Sequence, residues 1–340
     1  MINKISPQNS SLIDNFGRPI NYLRISVTDR CNLRCVYCMP ESGIRFLPKK
    51  EILTFEEIER LTRILAGMGI SKVRFTGGEP FVRTDLMHLM RSIRETNGIE
   101  EIHITTNGIL TPKFIPELKE IGIAGINLSL DTLDRERFQE ITRRNNFDEA
   151  FKTFHLALDH GIPLKINMVV MDGQNIPDIP LMANLAKEYP VDIRYIEEMP
   201  FNGANDDGKA KLRWNHKLIF KELQKAYPGI REIDPSPNST SMNYHVPGFK
   251  GKIGIIAGFT RTFCGTCNRI RITAKGMLKT CLYDDGVFDL KNFLRDGATD
   301  QQIQKMFLSL IGNRPRDGFE AQKKRTNQLP VYESMSVIGG

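Results

Sequence analysis

Six cysteines are the residues in this sequence whose type and spacing most directly suggest chemistry. They fall into two groups of three: Cys31, Cys35 and Cys38, then Cys264, Cys267 and Cys281. Clustered thiols at short spacing read as ligands for a soft metal. The first group is C-x3-C-x2-C. A cubane 4Fe–4S cluster normally takes four thiolates, so three would leave one iron open to a small chelating ligand. The competing reading is a zinc knuckle lacking its fourth ligand, although zinc favours four closed positions and the C-x2-C spacing. The second group, C-x2-C-x13-C, again offers three thiols. Its zinc alternative needs a histidine or a carboxylate such as Asp284, and nothing at fixed spacing offers itself.

These residues must be positioned by a scaffold, and the hydrophobic pattern supplies one. Short β-rich runs at Leu23–Thr28, Lys72–Thr76, Glu101–Thr105, Gly125–Leu130, Leu164–Val170 and Asp192–Glu197 alternate with helical patterns. The helices are expected over Phe55–Met68, Asp85–Asn97, Lys113–Ile121, Phe147–His160 and Ile179–Lys187. Thr54 and Glu57 form a capping-box signature at the start of the first. Phe151, Phe154, Ala157 and Leu158 should share one face of the fourth. Repeated β–α units imply a parallel sheet with right-handed crossovers. Periodicity alone does not separate an incomplete β/α barrel from an open doubly wound sheet. The first cysteine triplet follows directly on the first strand, at the end where barrel active sites collect. After Met199 the texture changes to polar, turn-rich sequence. Short strands are expected over 230–273, then helices near Leu290–Arg295 and Asp300–Ile311. A boundary near residue 200 divides the chain into units 1–200 and 201–340. The tail Val331–Gly340 shows no regular pattern.

Composition narrows the function class. The chain has 340 residues, 40% of them hydrophobic, 47 basic against 40 acidic, and a net charge of +7. This is the make-up of a globular protein with a sizeable core. No apolar run approaches the ~20 residues needed to span a bilayer, and the first twenty residues carry no signal-peptide pattern. The expectation is a cytoplasmic protein without membrane contact. A single Trp and the lack of long basic blocks argue against nucleic acid.

The first triplet, together with Gly77-Gly78-Glu79-Pro80 after the second strand, resembles the radical S-adenosylmethionine superfamily. GGEP alone would be an ordinary turn, and its glycines admit close backbone approach. The resemblance narrows to the GTP 3′,8-cyclase family through several further stretches: Phe16-Gly17-Arg18-Pro19-Ile20, the run from Leu23 to Cys31, Asn127 to Asp134, Arg194 to Met199, Phe263 to Thr273, Lys279 to Leu282, and the Gly-Gly end. It spans nearly the whole chain. It implies an α/β fold, an incomplete (β/α)6 TIM-type barrel with a C-terminal α+β extension holding a second iron–sulfur cluster.

The implied cofactors are two 4Fe–4S clusters, on Cys31, Cys35, Cys38 and on Cys264, Cys267, Cys281, with S-adenosylmethionine. Tyr37, Gly78, Ser129 and Met199 would line the S-adenosylmethionine site. Arg24, Arg74, Thr105, Lys165, Arg269, Ile270 and Arg271 would bind GTP. Arg24, Arg269 and Arg271, with the tail residues Gly339 and Gly340, would serve catalysis. The implied reaction is reductive. A 5′-deoxyadenosyl radical abstracts a ribose hydrogen, and the ribose C3′ then joins guanine C8, which opens molybdenum-cofactor biosynthesis. The family further implies a homodimer and a downstream pyranopterin-forming enzyme. Independently of the resemblance, Arg269 and Arg271 lie two apart on an expected strand and so share a face. Arg24 alternates with Leu23 and Ile25, which turns it away from the outer core. Paired guanidiniums suit phosphate oxygens.

Three departures stand out. Gly318 occupies a position where the family has His, Glu198 stands where an aromatic is usual, and the tail from Pro330 is divergent. Other readings keep the radical chemistry on a different nucleotide or a peptide, or make the chain a non-catalytic iron–sulfur sensor.

Overall fold

The computed structural model describes residues 12–199, 212–234, 238–325 and 334–339. Six strands, β1 (Tyr22–Ser26), β2 (Lys72–Thr76), β3 (Glu101–Thr106), β4 (Gly125–Ser129), β5 (Leu164–Val170) and β6 (Asp192–Glu197), pair in parallel in chain order. Helices α1 (Phe55–Ala66), α2 (Leu86–Arg94), α3 (Ile115–Ile121), α4 (Arg135–Thr142), α5 (Phe147–Asp159) and α6 (Asp178–Glu188) connect them. This is the expected partial barrel. Alternation explains it: Leu23, Ile25, Val73, Phe75, Ile102, Ile104, Ile126 and Leu128 are all buried in one core with the helices. Each such side chain contributes roughly 1.5–3 kcal/mol of burial. The intervening positions face inward and are mostly polar.

After β6 come α7 (His216–Ala226), β7 (Arg231–Ile233), β8 (Met242–His245), β9 (Lys252–Ile256), β10 (Arg269–Ile272), β11 (Met277–Lys279) and β12 (Phe288–Asp289). The chain then forms α8 (Leu290–Arg295), α9 (Asp300–Gly312), α10 (Gly318–Lys323) and α11 (Met335–Ile338). The C-terminal strands do not stand apart from the barrel. β9 adds in parallel to β6, and β10 adds in parallel to β1, so both edges of the six-stranded sheet are extended. The sheet curls: Arg269 on β10 donates to the carbonyl of Asn238, which precedes β8 at the other edge (2.7 Å). Residues 257–268, with Cys264 and Cys267, therefore join the two edges.

The capping box of α1 is present, with Thr54 N donating to Glu57 and Glu57 N to Thr54. The buried face of α5 is Phe147, Ala150, Thr153, Phe154 and Ala157; Phe151 and Leu158 flank it rather than centre it. Two expectations are corrected. The connection between β4 and β5 holds an extra helix, α4, short and burying only Phe138, Ile141 and Thr142. The tail has regular structure, because Ser334 caps α11 by accepting from Ser336 N. No helix among the described residues is long and apolar enough to cross a membrane.

Candidate active site

A cavity of about 550 Å³ opens on the inner face of the sheet, a size suited to small ligands. Parallel registry makes its floor. Arg271, Arg24 and Arg74 stand side by side on β10, β1 and β2. One level down, Tyr22 lies between Arg269 and Lys72. Across β3 to β6 run Thr105, Asn127, Lys165 and Asp192, and above them Ser129, Asn167 and Arg194. Cations this crowded in low dielectric disfavour their own charge. Burial and then Arg271 hold Arg24 well below the ordinary arginine range. Burial, with Arg269 for the one and Arg74 for the other, brings Arg271 and Arg194 down to about 10. Lys165 is lowered by burial and Arg194 while pairing with Asp192 at 3.5 Å. Burial pushes the Tyr22 phenol up, but Arg74, Arg24, Arg269 and Lys72 outweigh it and leave it below its usual value. Arg74 Nε, Thr105 Oγ1 and Asn167 Oδ1 are buried without a hydrogen-bond partner. Such groups normally have one, so this floor leaves donors on Arg74 and Thr105 and an acceptor on Asn167 open to a polar ligand.

The first triplet sits in the loop after β1. Its backbone is stapled to the end of α4 by Arg34 N to Thr142 O and Val36 N to Ile141 O. Cys38 N and Met39 N turn back onto Cys35 O. Two buried carboxylates stand behind it. Glu79 accepts from Asn107 N (2.7 Å), Thr106 Oγ1 (2.8 Å) and Phe81 N (3.2 Å). Asp131 accepts from Val169 N (2.8 Å) and the Tyr37 hydroxyl (3.0 Å). Burial and Glu79 push the Cys31 thiol up to about 12, and burial and Asp131 raise Cys35 well above the ordinary thiol value. Gly77 and Gly78 are needed for a reason beyond ligand approach. Added Cβ atoms would lie 2.6 Å from Thr28 O and 2.3 Å from Arg30 O, the backbone leading into Cys31.

The second triplet faces the first across the same cavity, and all six thiols line it. Arg314 Nη2 donates to Cys267 Sγ at 3.1 Å. Burial raises Cys267, yet Arg314 and Arg269 outweigh it and leave the thiol below its usual value. Each triplet's thiols feel one another's charge. Among the described residues, no three His, Cys, Asp or Glu side chains gather as a site for a single ion. Soft thiolates in threes, spread around a shared cavity, fit clusters with one iron left open.

Arg24, Arg74, Thr105, Lys165, Arg269, Arg271, Tyr37, Gly78, Ser129 and Met199 all line the cavity, as expected. Ile270 does not: its side chain is fully buried in the outer core. Gly339 is tied to the floor, its carbonyl accepting from Arg271 Nη1 at 2.7 Å. At φ +85°, a Cβ there would stand 2.3 Å from Thr76 Oγ1, so glycine is required. Gly340 lies outside the described residues. The departure at Gly318 also has a cause. Arg261 lies 3.6 Å from the Tyr283 ring centroid and 4.2 Å from that of Phe319, and a Cβ at 318 would come within 2.8 Å of Arg261 and Tyr283. Sequence reasoning missed Lys72, Asn107, Asn127, Asn167, Arg194 and Arg314 as neighbours of these groups. For the strand residues the inward alternation was a usable signal.

A partial parallel barrel with three thiols after its first strand and a glycine-rich turn after its second defines a radical S-adenosylmethionine protein. The Radical SAM superfamily model matches residues 25–186, and the Molybdenum Cofactor Synthesis C model matches 191–319. The chain is similar to GTP 3′,8-cyclase of Moorella thermoacetica, 40% identical over 328 residues, 96% of this chain and 99% of that protein. It is also similar to Molybdenum cofactor biosynthesis protein 1 of Homo sapiens, 39% identical over 312 residues, 92% of this chain. There it spans about half the relative's length (49%). The chain belongs to the GTP 3′,8-cyclase family. Its fold is similar to that of Streptococcus suis SuiB bound to S-adenosylmethionine, with a TM-score of 0.59 at 17% identity over 84% of this chain and 64% of that one. Iron–sulfur clusters and S-adenosylmethionine, the cofactors of this class, are the ones the thiol triplets fit.

Proposed function

We propose that this chain cyclises GTP to 3′,8-cyclo-7,8-dihydroguanosine triphosphate, the first step of molybdenum-cofactor biosynthesis. The observation that carries the proposal is the row Arg271, Arg24, Arg74 lying in register between two thiol triplets. Cys31, Cys35 and Cys38 would hold one 4Fe–4S cluster, and Cys264, Cys267 and Cys281 the other. When bound with S-adenosylmethionine, the first supplies one-electron cleavage that makes a hydrogen-abstracting carbon radical.

The chain's own residues do the rest. Tyr37, Gly78, Ser129 and Met199 line the cavity and would hold S-adenosylmethionine, with Met199 packed against the Tyr283 and Ile338 cluster. Arg24, Arg74, Thr105, Lys165, Arg269 and Arg271 form the anion-accepting floor for GTP, with Ile270 contributing through its main chain alone. Fixed guanidiniums hold the triphosphate and so fix the ribose against one face, an orientation effect that lowers the barrier entropically. Gly339, tethered by Arg271, closes the floor and limits water, and Gly340, outside the described residues, is kept as its catalytic companion in this proposal. We keep the division into 1–200 and 201–340, a homodimer, a cytoplasmic setting and hand-over to a pyranopterin-forming enzyme as parts of this proposal.

The test is anaerobic reconstitution, reduction with S-adenosylmethionine, and measurement of 5′-deoxyadenosine with and without GTP. GTP-dependent formation of 5′-deoxyadenosine together with the cyclised product supports the reading. Cleavage indifferent to GTP, with no cyclised product, overturns the substrate assignment.

A further inference from the structure

One buried group of charges stands behind the second triplet, apart from the arginine row of the cavity floor, and reaches the cavity only through Arg314. Asp14 near the start of the described chain, Arg18 four residues on, and Arg314 after α9 meet behind the second triplet. Their side chains are 0%, 8% and 3% exposed. Asp14 Oδ2 lies 2.6 Å from Arg18 Nε and 3.4 Å from Arg314 Nη1. One carboxylate thus orients two guanidiniums. Their remaining donors converge on the backbone that carries the cysteines. Arg18 Nη1 donates to Cys264 O at 2.9 Å. Arg314 Nη1 donates to Cys267 O at 2.7 Å, and its Nε to Thr280 O, next to Cys281, at 2.8 Å. Its Nη2 reaches Cys267 Sγ at 3.1 Å and Arg269 O at 2.9 Å. Every thiol-bearing segment of the second triplet is therefore gripped, and the grip runs through residues some 300 positions apart in sequence.

We propose that Asp14, Arg18 and Arg314 form a positioning clamp for the second iron–sulfur cluster, with Arg314 setting its retention and reduction potential. The proposal rests on the reading that Cys264, Cys267 and Cys281 hold a cluster. Two guanidiniums against one carboxylate leave one net positive charge behind the thiolates in a low-dielectric setting. A cluster that accepts one electron becomes one unit more negative, so a fixed cation and a hydrogen bond to a ligand sulfur favour its reduced form. Holding the three main-chain segments also fixes the thiol spacing in advance of the metal, which slows its loss.

The experiment uses the full chain with Cys31, Cys35 and Cys38 replaced by Ser, so that any iron reports on the second site. Iron and sulfide are measured first with Arg314 intact. No uptake at that stage overturns the cluster reading and the clamp with it. With uptake established, Arg314→Gln should shift the midpoint potential negative, alter the electron paramagnetic resonance of the reduced form, and lose iron to a chelator several-fold faster. Arg314→Lys keeps the cation but not the fork of donors. It should retain most of the potential while losing iron faster, and it serves as the second variant if Arg314→Gln does not fold. Unchanged potential, spectrum and iron loss in Arg314→Gln, or unchanged iron loss in Arg314→Lys, would overturn the clamp.

Discussion

The two thiol triplets share a cavity but sit in opposite electrostatic surroundings. Behind the first stand Glu79 and Asp131, both deeply buried, with burial pushing them up to about 7 and about 6. Behind the second stands the Arg314 guanidinium, and the thiol it touches is the one of the six held below its ordinary value against burial. The contrast is not uniform, since burial still raises Cys281 to about 12 with Asp284 beside it. Glu79 and Asp131, where ionised, disfavour an added electron, so a cluster held by the first triplet would become a stronger reductant once reduced. Positive surroundings favour binding an anion, which is what the adjoining row of arginines also does. On the proposed reading, one end of the cavity would give an electron away and the other would hold substrate still.

Removing a thiol from each end should break this comparison most clearly. Cys35→Ser is expected to abolish 5′-deoxyadenosine formation under every condition. Cys267→Ser should leave cleavage of S-adenosylmethionine detectable while eliminating the cyclised product. Equal loss of cleavage in both variants, with the first cluster intact by iron analysis, would mean the two ends are not functionally distinct. A smaller effect is expected from the floor between them. Arg74→Gln removes a charged donor worth roughly 1.5–3 kcal/mol, so GTP binding measured by equilibrium dialysis should weaken about 10–100-fold. The first cluster's spectrum should not change. Unaltered GTP affinity would place the triphosphate elsewhere.

Which parts of this arrangement the sequence disclosed follows from how local their causes are. β2, β5 and β6 have the bounds that alternation predicts, Lys72–Thr76, Leu164–Val170 and Asp192–Glu197, because one face must pack against helices. Arg269 and Arg271 share a face for the same reason, with Ile270 and Ile272 buried opposite. Capping of α1 by Thr54 is settled within four residues. The extension of the sheet by β9 and β10 is not local, and no periodicity marks which edge a strand will join. The grip of Arg314 on Cys267 spans 47 positions and that of Arg18 on Cys264 spans 246. Gly318 was visible as a departure from the family, but its cause, the Arg261 side chain lying against Tyr283, appears only in three dimensions. Asn127, Asn167 and Arg194 face the cavity by the same strand alternation, a local cause that the sequence carries.

The smallest effect tests the comparison without metal or substrate, through the pH dependence of stability in the metal-free chain. Glu79 has a folded pKa of about 7, raised by burial, against an unfolded value of ~4.3. Its contribution to stability is therefore full below pH ~4 and is lost as pH rises through 7. His103, on the cation side, has the opposite sign. Burial, and then Arg74, bring it down to about 4 from an unfolded value of ~6.5. Its contribution is present above pH ~6.5 and is lost as pH falls through 4. Each is worth no more than about 4 kcal/mol. In the unaltered chain the two slopes oppose one another between pH ~4.5 and 6.5. Denaturant unfolding across that window should show stability rising with pH more steeply in Glu79→Gln than in the parent. In His103→Gln it should fall with pH instead. Parallel pH profiles in the two variants would mean that burial and neighbours do not act on Glu79 and His103 in opposite senses.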